Sequence, residues 1–455
     1  MRTTYNKFPE VNVQGYDNHA WQGWSSIHSV LNTRVSTAAK TVLIVDCYPG
    51  VRLDELVQQL VTPLDTALVL NIESARRDEQ ALHDLLARNL TDDRVFGVLS
   101  CHHLDEFFDS DKLSQLRQQI DAVTSGLVVV YGSGAALAHP GDVLVYADLP
   151  RWEIQQRMRH NGLGNWGAEY QVLYFLRRFL RAFLIESRVF DKHKTPLLKR
   201  ADYLLDTTVE NSPAIVSGDA LRAGLQQTTE QPFRVAPFFD PGVWGGQWMK
   251  QRFDLDPSAP NYAWCFDCVP EENSLLLRFG NVRIEIPSQD LVLTCPRPLL
   301  GEKVHARFGA EFPIRFDFLD TIGGQNLSFQ VHPLTEYIQQ QFGMHYTQDE
   351  SYYILEAEPD AVVYLGTKTG IAPQDMLDDL RAAGRGEKTF DDERFVNQIP
   401  AHKHDHFRTL LGCRNHGAGD QRNALYLHLQ AVGLGPLRVR RLTASGASGS
   451  RSAGY

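Results

Sequence analysis

Gln325-Asn326-Leu327-Ser328-Phe329-Gln330-Val331-His332-Pro333, with Asp349-Glu350-Ser351-Tyr352-Tyr353 downstream, reads as a strand, a turn and the start of a second strand. Residues i and i+2 of a strand share a face, so Gln330 and His332 can reach one ion. A neighbouring strand can bring Glu350 to the same point. One imidazole and two oxygen donors suit zinc in a site that keeps an open position. The same short pattern also suits a strand histidine packed beside a turn.

Leu327-Ser328-Phe329-Gln330-Val331-His332-Pro333 resembles the metal-binding strand of class I mannose-6-phosphate isomerases, which are zinc enzymes of the cupin fold. The similarity runs from about Pro237 to Phe407 and includes Val243-Trp244-Gly245-Gly246, Phe312-Pro313-Ile314 and Val363-Tyr364-Leu365-Gly366, in the family's order. The resemblance implies that Gln330, His332 and Glu350 are three of four zinc ligands, and that Ser328 lies toward the phosphate end of a sugar-phosphate substrate. His416, in His416-Gly417-Ala418-Gly419, falls near the distance expected of the fourth ligand. No residue is assigned as the catalytic base.

Composition sets the outer bounds. A chain of 455 residues is long enough for two or three domains, and 43% hydrophobic with 22% charged residues is ordinary for a globular protein. A formal charge of −10 argues against a nucleic-acid surface. The longest apolar stretch, Val172 to Phe190, is interrupted by Arg177, Arg178, Arg181, Glu186 and Arg188, so it predicts an amphipathic helix and no membrane span. The first residues lack a signal peptide's apolar core, and six scattered cysteines fit a reducing compartment, so a cytoplasmic location is expected. Cys265 and Cys268 have no second pair to complete a metal site and are expected to pack.

Residues 1–210 read as a parallel α/β domain. Thr41–Asp46, Leu68–Ile72, Gly126–Tyr131 and Asp142–Tyr146 are short β-rich runs separated by helical spacing, the signature of strands buried on both faces. Arg188-Val189-Phe190-Asp191-Lys192-His193-Lys194, ending at Tyr203-Leu204-Leu205-Asp206, is similar to the close of uridine-kinase-like domains. Arg52, Leu53 and Asp54 stand where a phosphate-binding loop carries Gly-Lys-Ser/Thr, and an aspartate there repels a triphosphate. The domain is therefore expected to be a degenerate P-loop-kinase-like unit with a structural or regulatory role. Arg177, Arg178 and Arg181 suit either an anion or a solvated helix face, and Gly132-Ser133-Gly134 predicts a turn.

Residues 211–407 read as an all-β cupin or jelly-roll domain, with strands at Ser274–Phe279, Val282–Ile286 and Asp290–Thr294 and a helical insertion at Gln374–Ala383. The family reaction moves a proton between C1 and C2 of mannose 6-phosphate to give fructose 6-phosphate. It needs a polarised carbonyl, a base and a cationic phosphate anchor. Two family lysines are replaced here, by Asp317 after Phe312-Pro313 and by Gln348 before Glu350. Each lost charge-assisted contact costs on the order of 1.5–3 kcal/mol. The alternative expectation is therefore a catalytically impaired relative that binds metal or sugar phosphate and serves a regulatory role. His402, His404 and His406 form a rival alternating metal pattern.

Residues 408–455 depart from the family, and loss of the closing strands is expected to open a sheet edge. The Gly/Ser-rich end from Thr443 predicts disorder. Tyr426 to Arg438 can be encoded so that the string, read one base out of frame, gives IFTFKLWDWGRF, similar to the family's next block. Cys413-Arg414-Asn415 likewise shifts to Ala-Gly-Thr. Resequencing the coding DNA after the Phe407 codon is expected to reveal an added or missing base, and an intact frame overturns this reading.

Overall fold

A computed structural model of the protein describes residues 3–35, 38–91, 97–160, 162–168, 175–327, 332–409 and 424–431, the last as backbone. In chain order the strands are β1 (Glu10–Asn12), β2 (Ala20–Gln22), β3 (Lys40–Cys47), β4 (Thr66–Asn71), β5 (Gly126–Gly132), β6 (Val143–Asp148), β7 (Tyr203–Asp206) and β8 (Ala214–Ser217). They continue with β9 (Phe238–Asp240), β10 (Trp264–Cys268), β11 (Ser274–Phe279), β12 (Val282–Pro287) and β13 (Ile314–Asp320). The last are β14 (Asp349–Ala357), β15 (Val362–Thr367), β16 (Val396–Pro400), β17 (His406–Thr409) and β18 (Ala424–Ala431). The chain divides into two compact units, Phe8–Ala236 with Pro270–Phe312, and Met1–Lys7 with Pro237–Val269 and Pro313–Tyr455.

The first unit is built on a seven-stranded sheet in the order β2-β8-β7-β6-β3-β5-β4. Strands β3 to β7 are parallel; β8 and β2 add antiparallel pairs at one side. In the central strand β3 all of Val42 to Val45 are buried, as an apolar run covered on both faces requires. The helix Ser110–Ala122 starts where the Asp109 carboxylate accepts the backbone N–H groups of Asp111 and Lys112 at 2.9 and 3.0 Å. Its Leu113, Leu116 and Ile120 recur at helical spacing and turn inward. The stretch expected as an amphipathic helix is helical over Phe175–Leu198. Among the described residues no helix is long and apolar enough to cross a membrane.

Residues 270–312 depart from the expected plan. Ser288–Thr294 is a helix, so Asp290–Thr294 is not a strand. The hairpin β11–β12 pairs with β1 in a separate three-stranded sheet, and Leu275, Leu277, Ile284, Ile286 and Leu291 share the hydrophobic core of the α/β unit. The division therefore does not fall at residue 210. A second tie comes from Asp206 at the end of β7, whose carboxylate accepts the N–H groups of Thr208 at 2.9 Å and Glu285 at 2.8 Å.

The second unit holds an antiparallel sheet ordered β17-β14-β18-β13-β10-β9, and the two-stranded sheet β15-β16. One face of the large sheet buries Trp264, Leu319, Tyr352 and Ile354 together with Val363 of β15. The other gathers Met249, Tyr262 and Cys265, with Phe239, Phe253 and Phe318 packed against them. The expected loss of the closing strands is corrected here: β17 pairs with β14, and β18 lies between β14 and β13. As written, Leu425 to Leu429 retains the alternation a strand needs. The expected helical insertion is present as Pro373–Gly384.

Burial, with Glu285 next in weight, pushes the Asp206 carboxyl up to about 7. Because the folded value exceeds the unfolded one, roughly 3.9, the stability this group contributes is complete below about pH 4 and is lost as pH rises through about 7. Glu285→Gln removes the like charge, so urea midpoints at pH 4.5 and 7.5 should fall less in the variant than in the native chain. An equal fall in both overturns the assignment.

Candidate metal centre

The site is assembled from the loop after β13 and the start of β14. A backbone contact and a side-chain one aim the loop: the N–H of Gln325 donates to the Trp244 carbonyl at 3.0 Å, and Leu327 is buried in one cluster with Trp244 and Tyr352. Gly324 passes so close to the Trp244 and Gly245 carbonyls that a Cβ would stand 2.4 Å from both oxygens. The chain is described again from His332, runs through the helix Thr335–Phe342, reverses at Gly343 (φ 68°) and enters β14. Thr347 Oγ1 donates to the Pro333 carbonyl at 2.5 Å and pins the two ends of this excursion together.

His332 and Glu350 meet at the end of it. His332 is 9% exposed and Glu350 4%, and His332 Nε2 stands 2.7 Å from Glu350 Oε2. His332 Nδ1 lies 3.2 Å from the Gln348 carbonyl, which can only accept, so Nδ1 carries a proton and Nε2 faces the carboxylate. The Nε2–Oε2 approach lacks hydrogen-bond geometry. At 2.7 Å the two atoms stand at the distance of an imidazole–carboxylate pair, closer than the roughly 3.4 Å of two donors on one tetrahedral zinc. It is the chemistry of the donor set, a buried imidazole and a buried carboxylate, that suits a zinc site. The Tyr352 hydroxyl donates to Glu350 Oε1 at 2.5 Å, leaving Oε2 toward His332.

Of the expected ligands, His332 and Glu350 are brought together; Gln330, Ser328 and His416 lie outside the described residues. Among the described residues no three His, Cys, Asp or Glu side chains converge on one point. The rival histidine set is not one strand face. His402 and His404 sit in the turn before β17, His404 has φ 77°, and its Nδ1 is 2.8 Å from the Tyr353 hydroxyl. Asp317 and Gln348, where the resemblance implies lysines, are both buried.

In the α/β unit a cavity of about 380 Å³ opens at the carboxyl ends of β3, β4 and β5, lined by Tyr48, Gly50, Glu73, Arg76 and Trp166 among others. The backbone donors there already face a carboxylate. Asp46 Oδ1 accepts the N–H of Gly134 at 3.2 Å, and Oδ2 accepts that of Ala136 at 2.8 Å and lies 2.9 Å from His193 Nε2. Gly132 (φ 111°) and Gly134 (φ 97°) form the expected turn. Arg181 pairs with Glu186 at 3.2 Å, both buried. Nearby, Lys194 Nζ joins Asp148 Oδ2 at 3.1 Å and Asp290 Oδ1 at 2.6 Å. Burial alone would depress this ammonium, but the two facing carboxylates hold it above its ordinary value; burial raises both carboxyls. Neither partner of Lys194 was legible as such in the sequence, because they come from β6 and from the helix Ser288–Thr294.

A model of a domain of unknown function (DUF8485) matches residues 23–230. No curated protein matches the chain. Among solved structures, the mannose 6-phosphate isomerase from Bacillus subtilis aligns at 18% identity and TM-score 0.34, covering 43% of this chain and 57% of that one. A putative mannosephosphate isomerase from Archaeoglobus fulgidus aligns at 15% and 0.36, covering 46% and 61%. A mutant phosphomannose isomerase from Salmonella typhimurium aligns at 11% and 0.34, covering 45% and 69%. The chain thus spans less than two thirds of the length of the first two.

Lys194→Met leaves two buried carboxylates without their cation and is expected to destabilise the α/β unit by about 3–5 kcal/mol in urea unfolding. A change below about 1 kcal/mol would show that the carboxylates neutralise each other without it.

Proposed function

We propose that the antiparallel unit is the metal-binding part of an aldose–ketose isomerase acting on a hexose 6-phosphate, of the mannose 6-phosphate to fructose 6-phosphate type, with zinc as the metal. The observation that carries this is the buried approach of His332 Nε2 to Glu350 Oε2 at 2.7 Å, between residues whose motif had already marked them as ligands. Gln330 and His416 complete the proposed set, and Ser328 belongs toward the phosphate end. When bound, zinc supplies a Lewis acid that polarises the substrate carbonyl and stabilises the enediol oxygen. The chain's own contribution is to hold the donors in advance: the Gln348 carbonyl fixes the His332 tautomer, and Tyr352 occupies the other carboxylate oxygen of Glu350.

A second reading, a metal-binding relative with impaired turnover, is favoured by the buried carboxylate of Asp317 where the resemblance implies a lysine. Metal analysis and a coupled isomerase assay separate the two. The native chain should hold about one zinc with His332 as a ligand, His332→Ala should lose it, and Tyr352→Phe should weaken zinc binding by about 10- to 100-fold. Zinc retained in His332→Ala rejects the site. Zinc bound without turnover of mannose 6-phosphate selects the impaired relative.

A further inference from the structure

Strand β13 carries Arg315, Asp317 and Leu319 at alternate positions, so the three share one face of the sheet. That face is identified by Leu319, which is 2% exposed and packs in one cluster with Tyr352 and Ile354 of β14. Phe318, between them, packs on the opposite face beside Met249 and Cys265. Glu350 belongs to the same alternating set as Tyr352 and Ile354. Arg315 therefore emerges on the face that bears the candidate metal ligand.

The strand register places it further. Arg315 is opposite Gln430 of β18, and Gln430 is opposite Glu350 of β14. Opposed residues of an antiparallel ladder project to the same side. Arg315 and Glu350 thus lie in one row, separated by a single strand, with Cα atoms roughly 10 Å apart by strand spacing. Asp317 lies in the next row, in line with Tyr352. A hexose 6-phosphate carries its reacting carbons and its phosphate at opposite ends, so a metal ligand and an anion anchor must be separated along the face. A guanidinium suits the anchor because its planar fork takes two phosphate oxygens at once.

We propose that Arg315 binds the phosphate of the substrate and sets the preference for phosphorylated over free sugar. This rests on the isomerase reading above. One pleat separates Arg315 from Asp317, so the cation that position 317 lacks is supplied two residues earlier on the same face.

The test uses the full zinc-loaded chain with mannose 6-phosphate and mannose, and follows KM, kcat and zinc content. Arg315→Ala should raise KM for mannose 6-phosphate by about 10- to 100-fold with kcat within a few-fold. Zinc content and turnover of mannose should be unchanged. Arg315→Lys, which keeps the charge without the fork, should recover part of the loss, and Asp317→Lys should restore binding in the Arg315→Ala chain. An unchanged KM, or an equal loss on both sugars, overturns the proposal. If Arg315→Ala fails to fold, Arg315→Lys decides: a several-fold higher KM for the phosphorylated sugar alone supports the assignment, and no difference overturns it. If the native chain binds zinc but does not isomerise, the functional reading fails and calorimetry with mannose 6-phosphate judges Arg315 alone. Binding that Arg315→Ala weakens then supports it; no binding by the native chain, or equal binding by both, overturns it.

Discussion

Strand β18 is hydrogen-bonded on both sides, to β13 and to β14, and the placement of groups on the candidate site's face depends on that double ladder. Side chains on a strand have a period of two, so a slip of one residue in either pairing would send its buried set to the other face. Leu319, Tyr352 and Ile354 are buried together, which holds the register from the core side. The same packing puts Glu350 inside, where the shape of the 332–349 excursion delivers His332 to it. Site and core are thus specified by one alternation.

The two units treat buried charge differently. In the α/β unit carboxylates meet internal partners: Asp46 receives backbone N–H groups and His193, Glu186 receives Arg181, and Asp148 and Asp290 share Lys194. A buried ion pair of this kind contributes little net stability but is costly to break from one side, so it fixes geometry. At His332 and Glu350 an imidazole nitrogen and a carboxylate oxygen stand 2.7 Å apart, and contacts to Gln348 and Tyr352 hold both side chains. We propose that this pair, unlike the others, is completed by a metal.

Local pattern accounts for what was legible in the sequence. The strands at β3, β5 and β6 are continuous apolar runs with turn residues at their ends, and their burial on both faces follows from that composition, whereas β4, at the edge of the sheet, leaves Val69 exposed. The expected strand parity was not the cause of the nearness of His332 to Glu350, since His332 stands in the loop that leads to the helix Thr335–Phe342, but from residue type that nearness was legible. Partnership across long separations was not. Ser274–Ile286 reads correctly as two strands, but only the shared core with β1 and β8 assigns them to the α/β unit. Asp290 lies in a short apolar segment whose periodicity suits strand or helix equally, and tertiary contact with Lys194 accompanies the helical outcome. Likewise β18 alternates well enough to be a strand, yet its family-foreign residues concealed that it pairs on both sides.

The charges at 315 and 317 show how far a substitution can be read by itself. Taken singly, an aspartate where a sugar-phosphate site wants a lysine argues for lost recognition. The pleat alters that inference, because a strand offers the same face again two residues away and a different face at one residue away. Arg315 shares the face of Asp317 but stands in the row of Glu350, whereas Asp317 stands in that of Tyr352. A phosphate held there would lie closer to the metal ligands along the strand axis than one held at 317, by about one two-residue repeat of nearly 7 Å. The sugar would then have to lie more nearly across the strands than along them. That orientation, more than the net count of positive charges, is what a cation at 315 in place of one at 317 would set in the proposed site.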